Sequence, residues 1–134
     1  MSTEELADWF ASLTCFVSAA RAEGWGLMQH QAMAIGRPII SVKFGGVAEF
    51  FESSSGYDVE YRLGPSQGRH SEYAGCGLVA YPSLSCRVDR MREVYANRYE
   101  AARRGSAAAA IVRHMSWERS NGWLAEVLRE VGAL

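Results

Sequence analysis

At 134 residues with a formal net charge of −1, the chain has the length for one domain (1–134) with a real core and little room for a second. Hydrophobic residues make up 49% and charged residues 22%, the composition of an ordinary globular domain, and the lack of a basic excess argues against a nucleic-acid partner. The longest uncharged stretch, residues 24–36, is too short and too glycine-broken to span a bilayer, which leaves only a peripheral membrane contact open.

The opening "STEELADWFASL" predicts a helix, with Ser2 and Glu5 as a capping box and Leu6, Trp9, Phe10 and Leu13 as an apolar stripe. "TCFVSAA" follows as a short, fully buried strand. After the Gly-Trp-Gly turn, a helix is expected from about Leu27 to Ile35, closed by Gly36 as a left-handed cap and by Pro38. "IISVK" is the second buried strand, and Gly45-Gly46 turns into a short helix over residues 47–51. "YDVEYRL" alternates as a half-exposed strand or hairpin arm. "GPSQGRHSEYAG" reads as loop and "CGLVAYP" as the third buried strand.

The remainder reads as helical. Val88, Met91, Val94, Tyr95 and Tyr99 form one stripe that ends at Gly105; residues 106–114 form another helix. Ser116 caps a last one carrying Trp117, Leu124, Val127 and Leu128. Gly122 inside it costs about 1 kcal/mol relative to alanine. Buried strands alternating with helices predict an α/β fold: a partial doubly wound, Rossmann-like parallel sheet of three core strands, helices on both faces, and C-terminal helices. Such sheets bind ligands beyond the carboxyl ends of their strands, which places sites in the turns 20–27 and 43–47.

In "EGWGL" the glycines allow close backbone approach, and the amides of Gly26, Leu27 and Met28 at a helix N-terminus suit a phosphate. Glu23 just outside could accept hydrogen bonds from neighbouring hydroxyls, the pairing that a nucleotide sugar needs. Local chemistry equally allows a plain strand–helix turn with Glu23 solvated or capping. Cys15, Cys76 and Cys86 are odd in number and lack C-x-x-C spacing, so with no secretory leader they read as reduced thiols of a cytoplasmic protein, Cys15 within the core. His30 reads as structural or partly exposed. His70 and His114 lack partners at metal-ligand spacing, so no metal site is expected. Lys43 ends a strand at the ligand face and is a possible phosphate contact or a solvated lysine. Glu49 follows the Gly-Gly turn and could bond backbone amides. Trp117 and Trp123 read as core or interdomain packing. Arg87, Arg90, Arg92 and Arg98 decorate a helix face, with Asp89 and Glu93 as ion-pair partners.

The run "EGWGLMQHQAMAIGRPIISVKFGGVAEF" resembles the donor-binding half of GT-B glycosyltransferases, the group 1, glycogen-synthase-like retaining family. There E-G-[FW]-G-L, a helix with E-A-M-A-x-G, a P-V-I strand and a following G-G recur in that order. "YAGCGLVAYPSLSCRVDRMREVYANR" is similar to the family's G-x-W-A-x-P strand end and its next helix, and "RHMSWERS" to its F-S-W-E. The resemblance implies that Glu23 contacts donor-sugar hydroxyls and that the amides of Gly26, Leu27 and Met28 meet the diphosphate. It places Gln31 at the ribose, where the family has a glutamate. An amide can hydrogen-bond the diol without the charge-assisted strength of a carboxylate. Val79 stands where the family has tryptophan, a change in packing. No essential metal and no cofactor beyond the nucleotide-sugar donor are implied, and no catalytic residue is assigned.

By the same resemblance the chain corresponds to the C-terminal half of a donor domain, without the acceptor domain or the first three donor-domain strands. The strand at 14–19 would then keep one neighbour and present an apolar edge. A homodimer or a separate chain is expected to cover it. The function implied is nucleotide-sugar binding that contributes to glycosyl transfer only together with the missing half; turnover by the isolated chain is not expected. The alternative is a catalytically inactive, self-associating interaction module derived from a glycosyltransferase. A truncated or split product of a longer enzyme makes the same local predictions as the first reading.

Overall fold

The computed structural model describes residues 2–67, 75 and 77–133. Helix α1 (Thr3–Ser12) opens with the predicted capping box: Glu5 N donates to Ser2 Oγ (3.2 Å) and Ser2 N to Glu5 Oε2 (2.7 Å). It carries Phe10 into the core and hands over to strand β1 (Phe16–Val17). Helix α2 (Leu27–Ala34) then leads to β2 (Ile39–Ser41), and a 3-10 helix at Gly45–Glu49 leads to β3 (Gly56–Asp58). The three strands form one parallel sheet in the order β1-β2-β3, with Phe16 opposite Ile39 and Ile40 opposite Tyr57.

Alternation along β2 divides the core between the two faces of the sheet. Ile39 packs with Phe10, Met33, Phe50, Phe51, Ala108 and Val112. Ile40 packs with Tyr57, Val59, Ala80, Val94 and Ala101. Helices therefore cover both faces, as the fold class requires. α3 (Leu84–Ala96) and α4 (Arg98–Val112) follow the sheet, and α5 (Trp117–Glu130) starts at the predicted Ser116 cap, whose Oγ accepts from Arg119 N.

Three expectations change. The third core strand is Gly56–Asp58, not "CGLVAYP", which instead supplies β5 (Leu78–Pro82), paired antiparallel with β4 (Tyr61–Pro65) in a separate two-stranded sheet. Of β5 only Ala80 is buried. Second, "TCFVSAA" is not a fully buried strand: β1 spans two residues on the sheet edge, and Val17 is 36% exposed. Third, the long helical region breaks at Asn97, whose side chain caps Glu100 N, and α4 runs straight through Gly105. A Cβ at Gly105 would collide with the carbonyl oxygen of Gly36, so this glycine lets α4 cross the C-terminal turn of α2. Of the expected stripe, Val94 is in the core, while Met91 and Tyr95 on the same helix and Tyr99 beyond the break are exposed. Gly36 itself has the left-handed conformation expected of it (φ +74°). Cys76 and His70 lie outside the described residues.

Candidate functional site

At the carboxyl end of the sheet the chain leaves β1 through residues 18–26, a segment held from three sides. Ser18 N donates to Ile40 O (2.9 Å), and its Oγ accepts from Gln29 Nε2 (3.0 Å), which pairs a side chain that is 2% exposed inside α2. Arg21 O accepts from Ala80 N of β5 (2.8 Å), and Glu23 O accepts from Gly46 N (3.0 Å).

The glycines of the two turns exist for each other. A Cβ on Gly45 would sit 2.7 Å from Glu23 O, and one on Gly46 would overlap Gly24 O and the Trp25 backbone. A Cβ on Gly26 would sit 2.6 Å from Val47 Cγ2, and Gly26 also needs its positive φ of +86°. The turns 20–27 and 43–47 thus pack closely on each other, Gly45 and Gly46 against backbone and Gly26 against the Val47 side chain.

α2 begins at Leu27 with no side chain capping Gly26, and His30 N takes Gly26 O (2.9 Å). The amides before His30 have no acceptor within the helix. Glu23, Leu27 and Met28 are exposed around this helix end, and Gln31 follows one turn along, partly exposed. Leu27 and Gln31 are four residues apart and share a face. The structure therefore brings Glu23, Gly26, Leu27, Met28 and Gln31 to one end of α2. Lys43 is exposed in a hollow of about 410 Å³ that it shares with Asp58, Glu60, Tyr61 and Arg90. Its carbonyl accepts from Tyr61 Oη (3.2 Å).

His30 packs against the rings of Trp25 (5.8 Å) and Phe50 (5.3 Å), which also touch each other (5.3 Å). Burial pushes its imidazole pKa down, and its buried Nε2 has no hydrogen-bond partner among the described residues. Arg90 and Arg92 make the expected ion pairs with Glu93 (3.0 Å) and Asp89 (3.2 Å), while Arg98 bonds Thr14 Oγ1 (2.6 Å).

Sequence reading missed two features. Arg21 and Arg62 both lie over the Tyr81 ring, at 4.9 and 4.8 Å, which sets two guanidinium groups beside the β1 turn. Neither has a carboxylate partner among the described residues. The signal was an arginine two residues before Glu23; the hairpin register that brings Arg62 opposite Tyr81 is long-range. The second feature is a groove of about 750 Å³ between the Trp25 turn and α5. Trp117 and Trp123 line it at 82% and 68% exposure, so they are not core residues. Glu49 also lines it, exposed and bonded to no amide of the described residues. Among those residues no group of three or more His, Cys, Asp and Glu is placed to hold a metal ion. No helix among them is long and apolar enough to cross a membrane.

This parallel sheet with its glycine-locked turns agrees with what comparison with known proteins finds. The family described as "Glycosyl transferases group 1" matches residues 1–67, half of the 134-residue chain, and the chain belongs to that family. Within it, the chain is similar to D-inositol 3-phosphate glycosyltransferase 1 of Catenulispora acidiphila, at 42% identity over 43 residues. The match covers 32% of this chain and 10% of that enzyme, so the chain spans only a small part of its curated relative's length. No solved structure matches significantly.

Proposed function

We propose that the end of α2 binds the diphosphate of a nucleotide-sugar donor and that the chain contributes this site to glycosyl transfer. The observation that carries the reading is the Gly26 helix start, without a side-chain cap, beside exposed Glu23 and fixed by the close packing of Gly26, Gly45 and Gly46 between the two turns. The amides of Gly26, Leu27 and Met28 take the diphosphate oxygens, with the helix dipole aligned to favour negative charge. Glu23 accepts hydrogen bonds from the sugar hydroxyls, and the Gln31 amide bonds the ribose diol. Arg21, two residues from Glu23, supplies a positive charge within side-chain reach. Lys43, with Asp58 and Glu60 in its own hollow, is the weaker candidate for a phosphate contact. The donor site needs no metal for this binding mode. Transfer requires an acceptor-binding half beyond these 134 residues.

A second reading, an inactive self-associating module, is favoured by Gln31 in place of a carboxylate and by the one-sided pairing of β1. A thermal-shift series with UDP-, GDP-, ADP- and dTDP-sugars on wild type and Glu23→Ala separates the two. A donor at about a hundred times its dissociation constant adds roughly 2.7 kcal/mol, several degrees for a domain of this size. The donor reading expects a shift with one nucleotide class that Glu23→Ala loses. No shift with any of them, even with a partner chain present, leaves the interaction module.

A further inference from the structure

The amino end of the parallel sheet, opposite the turns that leave β1 and β2, carries a concentration of positive charge. A hollow of about 440 Å³ opens there between residues 11–14 before β1, residues 36–38 before β2, and Arg98 and Ala102 of α4. That volume falls within the range of small-molecule sites. Its lining contains two arginines, Arg37 and Arg98, and no acid. Neither arginine is ion-paired with any of the described residues.

One short segment holds both guanidinium groups in place. Arg37 Nη2 donates to Ala11 O in the last turn of α1, and Arg98 Nη1 donates to Thr14 Oγ1 (2.6 Å). Arg98 also lies over the Tyr95 ring, 5.3 Å from its centroid. Each hydrogen bond uses one donor of a group that has several. The buried Nε of Arg37 has no partner among the described residues. Thr14 Oγ1 accepts from Arg98, so its own proton is left for another acceptor. Helix polarity adds to the imbalance, because Arg98 is the first residue of α4, where the macrodipole favours negative charge. Two anchored cations at a positive helix end, with no acid to offset them, call for an anion. The charge balance selects its class. A phosphomonoester carries about −1.5 to −2 near neutral pH and has acceptor oxygens for both guanidinium forks and the Thr14 hydroxyl. A single carboxylate matches only one of the two charges. A nucleic acid is disfavoured by the net charge of −1.

We propose that this hollow binds a phosphate group, free or as the monoester of a small molecule, between Arg37 and Arg98. The proposal does not rest on the nucleotide-sugar reading, whose residues lie at the other end of the sheet. Amide chemical shifts of the isotope-labelled chain locate the anion. Wild type is titrated separately with inorganic phosphate, with glycerol phosphate, and with sodium chloride at matched ionic strength. Saturable shifts at residues 12–14, 36–37 and 98–99 are expected at millimolar phosphate, with no counterpart in chloride. Tighter binding of glycerol phosphate would identify a phosphorylated small molecule as the source, and equal or weaker binding the free anion. Arg98→Gln, at an exposed position, is expected to weaken binding about tenfold, the loss of one charge-assisted contact. Arg98→Lys weakens it less, because it keeps the charge without the fork. Arg92→Gln, which removes an exposed arginine paired with Asp89, leaves the affinity unchanged. The rest of each spectrum reports whether the variant folds. Shifts confined to residues 24–28 would place the anion at the start of α2 and overturn the proposal. So would shifts that chloride reproduces, or undiminished binding in Arg98→Gln.

Discussion

His30 packs against two aromatic rings, and its buried Nε2 has no hydrogen-bond partner among the described residues. Its pKa is lowered from 6.5 by burial, and the unfolded chain therefore binds the proton more readily than the folded one. Stability from this residue is present above the ordinary value and is lost as pH falls from there through the lowered folded value. Urea unfolding across that interval is expected to show a downward slope for wild type that is shallower in His30→Gln; equal slopes would remove His30 as its source. Gln31, the next residue along, bears on affinity. Gln31→Glu is expected to strengthen binding of a ribonucleotide sugar over its 2′-deoxy counterpart, a charge-assisted bond replacing a neutral one. Calorimetry of the pair checks this, and an unchanged preference would take Gln31 out of the site. The grouping of these residues was legible because one short segment, 23–31, contains them all. The Arg21–Tyr81–Arg62 stack was not, since its members meet only through the register of a hairpin.

At the scale of elements, two opposed effects meet at Gly105. Alanine there would gain about 1 kcal/mol of helix propensity. Against that stands a Cβ driven into the Gly36 carbonyl and 3.1 Å from Pro38 Cδ, and forced repacking of this kind costs on the order of 1–3 kcal/mol or more. The collision involves backbone, which cannot rotate away, so Gly105→Ala is expected to lower the melting temperature. A stabilised variant would show that α4 and α2 can separate there freely. The same position explains why the helix boundary was misread: propensity marks a glycine as a stop, while tertiary packing uses it as a point of contact. β3 was misplaced for a related reason. "SSGYD" is too short to show a period, and its burial comes from β2 beside it and from Arg104, which donates to the Gly56 and Ser53 carbonyls and lies 4.3 Å over the Tyr57 ring. α1, α2 and β2 were legible because caps, glycine stops and a continuous β-branched run coincide with their ends.

For the whole molecule, the order β1-β2-β3 leaves β1 bonded on one side only. Its two residues make this edge shorter than the sequence suggested, which lessens the aggregation hazard while leaving Val17 exposed. Pairing of two copies along β1 across a two-fold axis predicts a dimer in sedimentation equilibrium that Val17→Lys dissociates. A monomer at every concentration would overturn pairing of two copies along β1. Finally, the packing of Gly45 and Gly46 against the backbone of 23–25 makes the two turns a single mechanical piece despite the twenty residues between them. Neither can be exchanged alone: a graft of the "EGWG" turn into another scaffold must bring the paired glycines with it, and a chain that loses one glycine pair misplaces both loops at once.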